Sequence, residues 1–183
     1  MPYQTGRVQP PYIYTGNFQT ENNAVMYKPG EIGIIYDFGT RRGQNVYLDS
    51  GCTASTSVGV VASGQVAFWK SKPNYIVTND SRFAEEPGNP QVCVAGVFTN
   101  AVTAGYQTWI TTRQVGITLL VNGTIVNAGY NAYAAATSAS NVATFAGQAA
   151  GTGPTNAAQQ VGIFTSTGSA SATADINFPE NNN

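Results

Sequence analysis

The residues of this chain that could do chemistry are a few carboxylates, and their most specific motif is Leu48-Asp49-Ser50-Gly51. It matches the Asp-Thr/Ser-Gly loop of aspartic proteases, in which two carboxylates about 3 Å apart share a proton. The chain has no second Asp-Thr/Ser-Gly, so a protease would have to be a homodimer. Asp, Ser and Gly are also common where a strand ends in a turn. We interpret the motif as a strand end.

Two further charged groups deserve a functional interpretation. Glu85 and Glu86 stand beside Pro87-Gly88 with Asp80 nearby, but their spacing matches no known calcium cage, so we predict an acidic, solvated turn. We predict that Arg41-Arg42-Gly43, which comes after Phe38-Gly39, lies in a turn. This arginine pair is too small for nucleic acid and could instead contact acidic groups of a protein partner.

The absence of histidine removes most other catalytic chemistry. Ser-His-Asp and Cys-His catalysis and His-containing zinc sites all require it. The two cysteines, Cys52 and Cys93, are too few for a four-thiolate metal site. We therefore expect no enzyme activity, no cofactor and no metal. Cys93 alternates with apolar neighbours and is predicted to be a buried thiol; we expect no Cys52–Cys93 disulfide, although the sequence leaves one open.

The composition argues against nucleic acid and membranes as partners and favours another protein subunit. Only 9% of the 183 residues are charged and the formal net charge is −1, so nothing favours nucleic acid. No apolar run is long enough to cross a bilayer and no secretory signal is evident, so we expect no membrane contact and assembly in a reducing cytoplasm. The 42% of hydrophobic residues can form a core. A surface rich in neutral amides and hydroxyls suits close packing against a neighbouring subunit.

The first 27 residues differ from the rest of the chain because they combine prolines with aromatic side chains. Prolines oppose helix, and exposed aromatics commonly anchor an extended segment on another surface. We predict an extended N-terminal arm over residues 1–27, the alternative being a loose leader. The candidate partner-binding residues are Tyr3, Tyr12, Tyr14, Phe18 and Tyr27 in the arm, together with Arg41 and Arg42.

From Lys28 onward the pattern is one of short β-branched and aromatic runs bounded by turn residues. These runs predict strands over 31–38, 58–61, 65–69, 74–78, 91–98, 115–121, 124–126, 160–165 and 172–178. Asn122-Gly123 between two apolar runs predicts a hairpin, and Ala132 to Ala136 is the one segment where a helix could form. The prediction is an all-β chain: a compact antiparallel barrel or sandwich over residues 28–178, followed by a polar tail over 179–183.

A pair of residues ending in glycine recurs before these runs. Pro29-Gly30, Ser63-Gly64, Ala104-Gly105 and Ala128-Gly129 each precede an apolar residue four positions beyond the glycine. Glycine permits the turn, and the following strand sends alternate side chains to one face. The irregular spacing favours repeated hairpin entry in a barrel or sandwich over a propeller or solenoid.

The order of several stretches resembles the head decoration, or capsid cement, proteins of tailed bacteriophages. The matching stretches are Pro29 to Gly39 (PGEIGIIYDFG), Val46 to Gly51 (VYLDSG), Tyr75 to Asp80 (YIVTND), and Val94 to Gly105 (VAGVFTNAVTAG) followed by Trp109-Ile110. The likeness extends from about Lys28 to Phe178. The arm lies outside it.

The resemblance implies a virion protein without catalytic residues. It implies a β-domain on the outer surface of the phage head, bound to the major capsid protein and to copies of itself as trimers or dimers. The alternative is a glycan- or receptor-binding β-module of a tail or fibre, which would use aromatic faces. For Trp69 and Trp109, core packing is the simpler interpretation, and a stacking platform for sugars is the other.

Overall fold

The protein is nearly all β. The computed structural model describes residues 12–13, 30, 32–37, 39–50, 60–85, 93–136, 143–149 and 160–178. The strands are β1 (Tyr12–Ile13), β2 (Ile32–Asp37), β3 (Gly39–Leu48), β4 (Val60–Val61), β5 (Val66–Ser71), β6 (Ile76–Thr78), β7 (Val94–Phe98), β8 (Val102–Thr103), β9 (Gln107–Leu120), β10 (Asn131–Ala136), β11 (Ala143–Gln148), β12 (Gln160–Phe164) and β13 (Ser171–Asn177). Within these residues the helical structure is a single 3₁₀ turn, Ser81–Phe83.

Five of the strands close a barrel in the order β3-β6-β5-β7-β9, because β9 also pairs with β3. The β3–β9 ladder is antiparallel and includes the pairs Tyr47–Gln107 and Gly43–Thr111. A ring this narrow has room inside only for side chains. Each of the five strands carries completely buried apolar side chains; they include Val46, Val77, Phe68, Val97 and Ile110.

Strand β9 extends beyond the barrel into a second group of strands. Its 14 residues pair with β3 and β7 at first and then, from Arg113 to Leu120, with β13. Strands β12, β10 and β11 follow β13 in antiparallel pairing. Strand β11, the last of this group, also contacts the residues that follow β9. Val121 forms a bridge with Phe145, and the amide of Asn122 donates to the Phe145 carbonyl at 3.1 Å.

One apolar cluster runs through both groups of strands. Phe98 from the barrel and Phe145 and Phe164 from the second group are almost completely buried in it. Trp69 and Trp109 are only 3% and 2% exposed, which confirms that they pack inside the protein. Cys93 is also buried in the core, as predicted. Cys52 lies outside the described residues, so the absence of a disulfide stays a prediction.

The recurring glycines share one backbone structure. Gly30, Gly64, Gly105 and Gly129 have φ between +80° and +85°, and each stands two residues before the start of a strand. Each glycine amide donates to a carbonyl of another strand or of the residue next to one, at 2.7–2.9 Å. After the last three, the next residue donates to the carbonyl three positions back, the pattern of a type II turn with glycine at its third position. Each of these turns therefore leads into a strand, but the strands on either side of the Gly64 and Gly105 turns do not pair with each other, so the prediction of hairpins there was wrong.

Most of the predicted strands are present with shifted ends, the segment left open for a helix is a strand, and two further local predictions were wrong. Ala132 to Ala136 belongs to strand β10, because pairing with both β11 and β12 outweighs the helix preference of alanine. Asn122-Gly123 forms a turn without a hairpin: Val121 pairs with Phe145, whereas Val126 pairs with Gly168. The amide of Thr124 donates to the Asn122 side chain across that turn.

The other wrong prediction concerns Arg41 and Arg42, which lie within strand β3 and not in a turn. The β2–β3 register pairs Asp37 with Gly39, Ile35 with Arg41 and Ile34 with Arg42, so both arginines lie inside the ladder. Pairing with β2 on one side and β9 on the other extends β3 through both arginines. These long-range ladders outweigh the local turn preference of the glycines on either side.

Candidate partner-binding surface

The structure describes three of the seven predicted partner-binding residues. Tyr12 lies in β1, and Arg41 and Arg42 lie in β3. The other four, Tyr3, Tyr14, Phe18 and Tyr27, lie outside the described residues, as do the rest of the arm and the tail at 179–183. The arm is present as β1, which pairs in parallel with β2 through Tyr12–Gly33 and Ile13–Ile34.

The registers place the arm and the arginines in one row across five neighbouring strands. Ile13 pairs with Ile34, Ile34 with Arg42, Arg42 with Arg113, and Arg113 with Asn177. Strands in a sheet are about 4.8 Å apart, so this row spans roughly 19 Å from β1 to β13. It crosses from the arm, through the barrel, to the last strand of the second group.

Arg42 and Arg113 face each other as like charges in this row. Residues directly opposite on antiparallel strands have Cα atoms about 4.5–5.5 Å apart, close enough for equal charges to destabilise the pair. Burial of its side chain, followed by the repulsion of Arg113, lowers the pKa of Arg42. Arg113 is exposed and, within the described part of the chain, forms no ion pair.

Arg41 does not belong to the same group. Successive residues of a strand point to opposite faces of a sheet, so Arg41, whose partner is Ile35, and Arg42, whose partner is Ile34, diverge. The two-residue basic spot expected from the sequence is therefore replaced by a pair across strands, Arg42 with Arg113. Arg113 was missed as a site residue, although it is the one cation after Pro87.

Next to Arg113, strand β9 points Val115 outward, because residues two apart in a strand share a face, and a β-bulge follows. Val115 and Gly116 on β9 stand opposite the single residue Asp175 on β13, since Ala174 pairs with Ile117 and Ile176 with Gln114. Gly116 has φ +67°, which glycine adopts readily. Its amide donates to Oδ1 of Asp175 at 2.8 Å, which fixes the bulge.

The outer face of β9, β13 and β12 continues this surface. On β13 the buried residues alternate with Asp175 and Asn177, which are exposed. Val115 is 61% exposed and Ile163, the partner of Asp175 on β12, is 46% exposed. We define Arg42, Arg113, Val115 and Ile163 as the arginine surface. It combines two cations with two apolar side chains, and Asp175 is the one acidic residue described within it.

Two carboxylates elsewhere in the described barrel region are paired with cations. Asp49, the carboxylate of the protease-like motif, lies 2.8 Å from Nζ of Lys70, so its neighbour is a cation and not a second carboxylate. Asp80 is fully buried and accepts from Arg82 through both carboxylate oxygens. Lys70 and Arg82 also stack on the half-exposed ring of Phe83, 5.6 Å and 5.4 Å from its centroid.

The acidic turn near Pro87 does not gather its carboxylates around one point. Asp80 is occupied by Arg82, whereas a carboxylate oxygen of Glu85 accepts from the backbone amide of Lys72. Glu86 lies outside the described residues. Among the residues that the structure describes, no three His, Cys, Asp or Glu side chains are grouped as a metal site would need. None of the helical structure described has the length and apolar character to span a membrane.

Comparison with known proteins adds no family to this description: no family model, curated protein or solved structure matches the chain.

Proposed function

We propose that this protein is a capsid decoration protein, which binds the outer surface of a phage head and stabilises it by bridging neighbouring capsid subunits. The observation that carries the proposal is the row from Ile13 through Arg42 and Arg113 to Asn177. It places β1, the one described segment of the predicted arm, on the same sheet as the arginine pair, with β2 between them. The resemblance in sequence to cement proteins supports the same role.

The composition of the surface suits such a role. Fourteen of the 17 charged residues precede Pro87, so the second group of strands is nearly neutral. Few charges have to be desolvated when such a surface packs against another protein. One domain that contacts two capsid subunits makes the second contact effectively intramolecular, so weak single contacts add up to firm attachment.

Glycan binding by a tail or fibre module is the competing function. Sugars are commonly held against exposed aromatic faces, and the two tryptophans that could form such a platform are buried. Phe83 is partly exposed, but Lys70 and Arg82 stack on its ring. The described aromatic residues therefore give this alternative no specific support.

The proposal is tested with heads that lack the protein, to which purified protein is added back. Both preparations are heated or exposed to osmotic shock while DNA release is followed. We expect the protein to co-sediment with the heads and to raise the temperature of DNA release. Equal release with and without bound protein would exclude the stabilising role. Binding to the tail, or to host glycans in isolation, would favour the alternative.

A further inference from the structure

We infer that the arginine surface binds a carboxylate-bearing segment of a partner protein, with Arg113 and Arg42 as the anchoring residues. The inference rests on the proposed function for the identity of the partner, which would be the capsid shell protein. Its chemistry rests on the geometry of the surface.

The charge of Arg113 has no ion-pair partner among the described residues. Arg113 lies opposite Arg42 on one side and the neutral Asn177 on the other, and Asp175 is a diagonal neighbour whose Oδ1 accepts from the Gly116 amide. Lys70 and Arg82, by contrast, each have an aspartate within 2.8 Å. A cation that lies opposite another cation is expected at a site where a second molecule supplies the negative charge.

Two neighbouring guanidinium groups are also well suited to bind a carboxylate. Each guanidinium presents a planar set of N–H donors that fits the two oxygens of a carboxylate, and it is weakly hydrated for a cation. A carboxylate placed near both groups would replace their repulsion with attraction. Binding would thus recover free energy that folding leaves unfavourable.

Exposed apolar side chains lie beside the arginines. Val115 is exposed two residues from Arg113, and Ile163 is exposed two strands away. Arginine is enriched in protein interfaces, and a partner that covers Val115 and Ile163 would remove their apolar surface from water. The occupant is therefore a peptide segment with an apolar side chain close to its carboxylate.

The negative charge of Asp175 determines on which side of Arg113 the carboxylate of the partner segment can lie. Oδ1 of Asp175 is held by the Gly116 amide, so the Asp175 carboxylate stays between Val115 and Ile163. A negative charge there repels an acidic ligand. The carboxylate of the partner should accordingly lie on the β3 side of Arg113, and its apolar side chain on the β12 side.

The test uses the full chain and two measurements. The first is fluorescence anisotropy with a labelled hexaglutamate peptide as probe and hexaglutamine as the uncharged control. We expect Arg113→Gln and Arg42→Gln each to weaken hexaglutamate binding roughly 1.5-fold to fivefold, the effect of losing one exposed charged contact. Lys72→Gln, which removes a cation outside the surface, is the matched control and should leave binding unchanged. Asp175→Asn, which keeps the acceptor for Gly116, should strengthen it.

The second measurement is co-sedimentation of the same variants with heads that lack the protein. Weaker sedimentation of Arg113→Gln than of Lys72→Gln supports the inference. If the wild type and Arg113→Gln bind heads equally, the inference is wrong and the decoration role stands. If the wild type binds no heads, the decoration role is wrong, and the peptide measurement alone decides the chemistry of the surface. Equal hexaglutamate binding by Arg113→Gln and Lys72→Gln would overturn the inference.

Discussion

Arg42 on β3 and Arg113 on β9 are directly paired, at the point where β9 leaves the barrel and begins to pair with β13. Two like charges on adjacent strands therefore lie opposite each other where β9 leaves the barrel. Their repulsion lowers the stability of the folded protein, and two predictions follow from it.

Replacing Arg113 with Gln should stabilise the isolated protein. The change removes a like-charge cross-strand pair, which costs about 0.2–1 kcal/mol. Thermal unfolding at low ionic strength measures the gain. Because salt screens exposed charges, about 0.5 M NaCl should raise the Tm of the wild type more than that of the variant. A variant less stable than the wild type in both buffers would show that Arg113 has a favourable partner.

The cost of the Arg42 charge should not vary with pH in the ordinary range. A cation whose folded-state pKa is lowered, as that of Arg42 is, destabilises the fold at every pH below that value. The cost disappears only as the pH rises through the folded-state pKa. Since a guanidinium normally loses its proton above about pH 12, the Tm profiles of the wild type and Arg42→Gln should run parallel between about pH 5 and pH 9. Profiles that converge in this range would contradict the prediction.

Two glycines of the strand-entry motif should differ in their tolerance of alanine. Gly129 has φ +85° and open space around it, so Gly129→Ala should cost only the backbone strain, about 1–2 kcal/mol. Gly30 has φ +83°, and a Cβ there would lie 2.3 Å from Cζ of Tyr75. Gly30→Ala should cost about 1–3 kcal/mol more, because the ring has to move.

The free energy of unfolding in urea measures both glycine variants. Truncation of the ring supplies the control: Tyr75→Ala should recover part of the additional loss in Gly30→Ala but none of the loss in Gly129→Ala. Equal costs for the two glycine variants would mean that Tyr75 does not confine Gly30.

Phe145 should be far more important for stability than Phe83. Phe145 is fully buried and connects β11 to the end of β9 through its bridge with Val121. Its replacement with Ala leaves a cavity and should cost about 3–5 kcal/mol. Phe83 is 43% exposed, so the same deletion there should cost about 1 kcal/mol or less. Chemical denaturation of both variants gives the comparison, and similar losses would contradict it.

Deletion of residues 2–20 should leave the barrel folded and weaken attachment to heads. The deletion removes β1, which contributes two residue pairs at the edge of β2 and no part of the barrel ring. Circular dichroism and the Tm report the fold, and co-sedimentation with heads reports attachment. Loss of the folded state would show that the arm is part of the core.

Features that depend only on neighbouring residues, such as turn glycines and strand periodicity, could be predicted from the sequence. A glycine that needs a positive φ has to be glycine wherever the turn occurs, so Gly30, Gly64, Gly105 and Gly129 were recognisable without the fold. Alternating or β-branched runs such as those of β2 and β13 were equally recognisable, because strand periodicity is a property of neighbouring residues. Together they were enough to predict an all-β chain.

The pairing of the strands could not be predicted from the sequence and is known only from the folded structure. The alanines of β10 and the polar residues of β3 have no strand pattern of their own, and they are strands because partners lie on both sides. Val121 and Val126 flank a suitable turn, yet each pairs with a different distant residue. Arg42 and Arg113 lie far apart in the sequence and meet because β9 closes the barrel against β3. Such contacts depend on the register of long-range ladders, which no local pattern encodes.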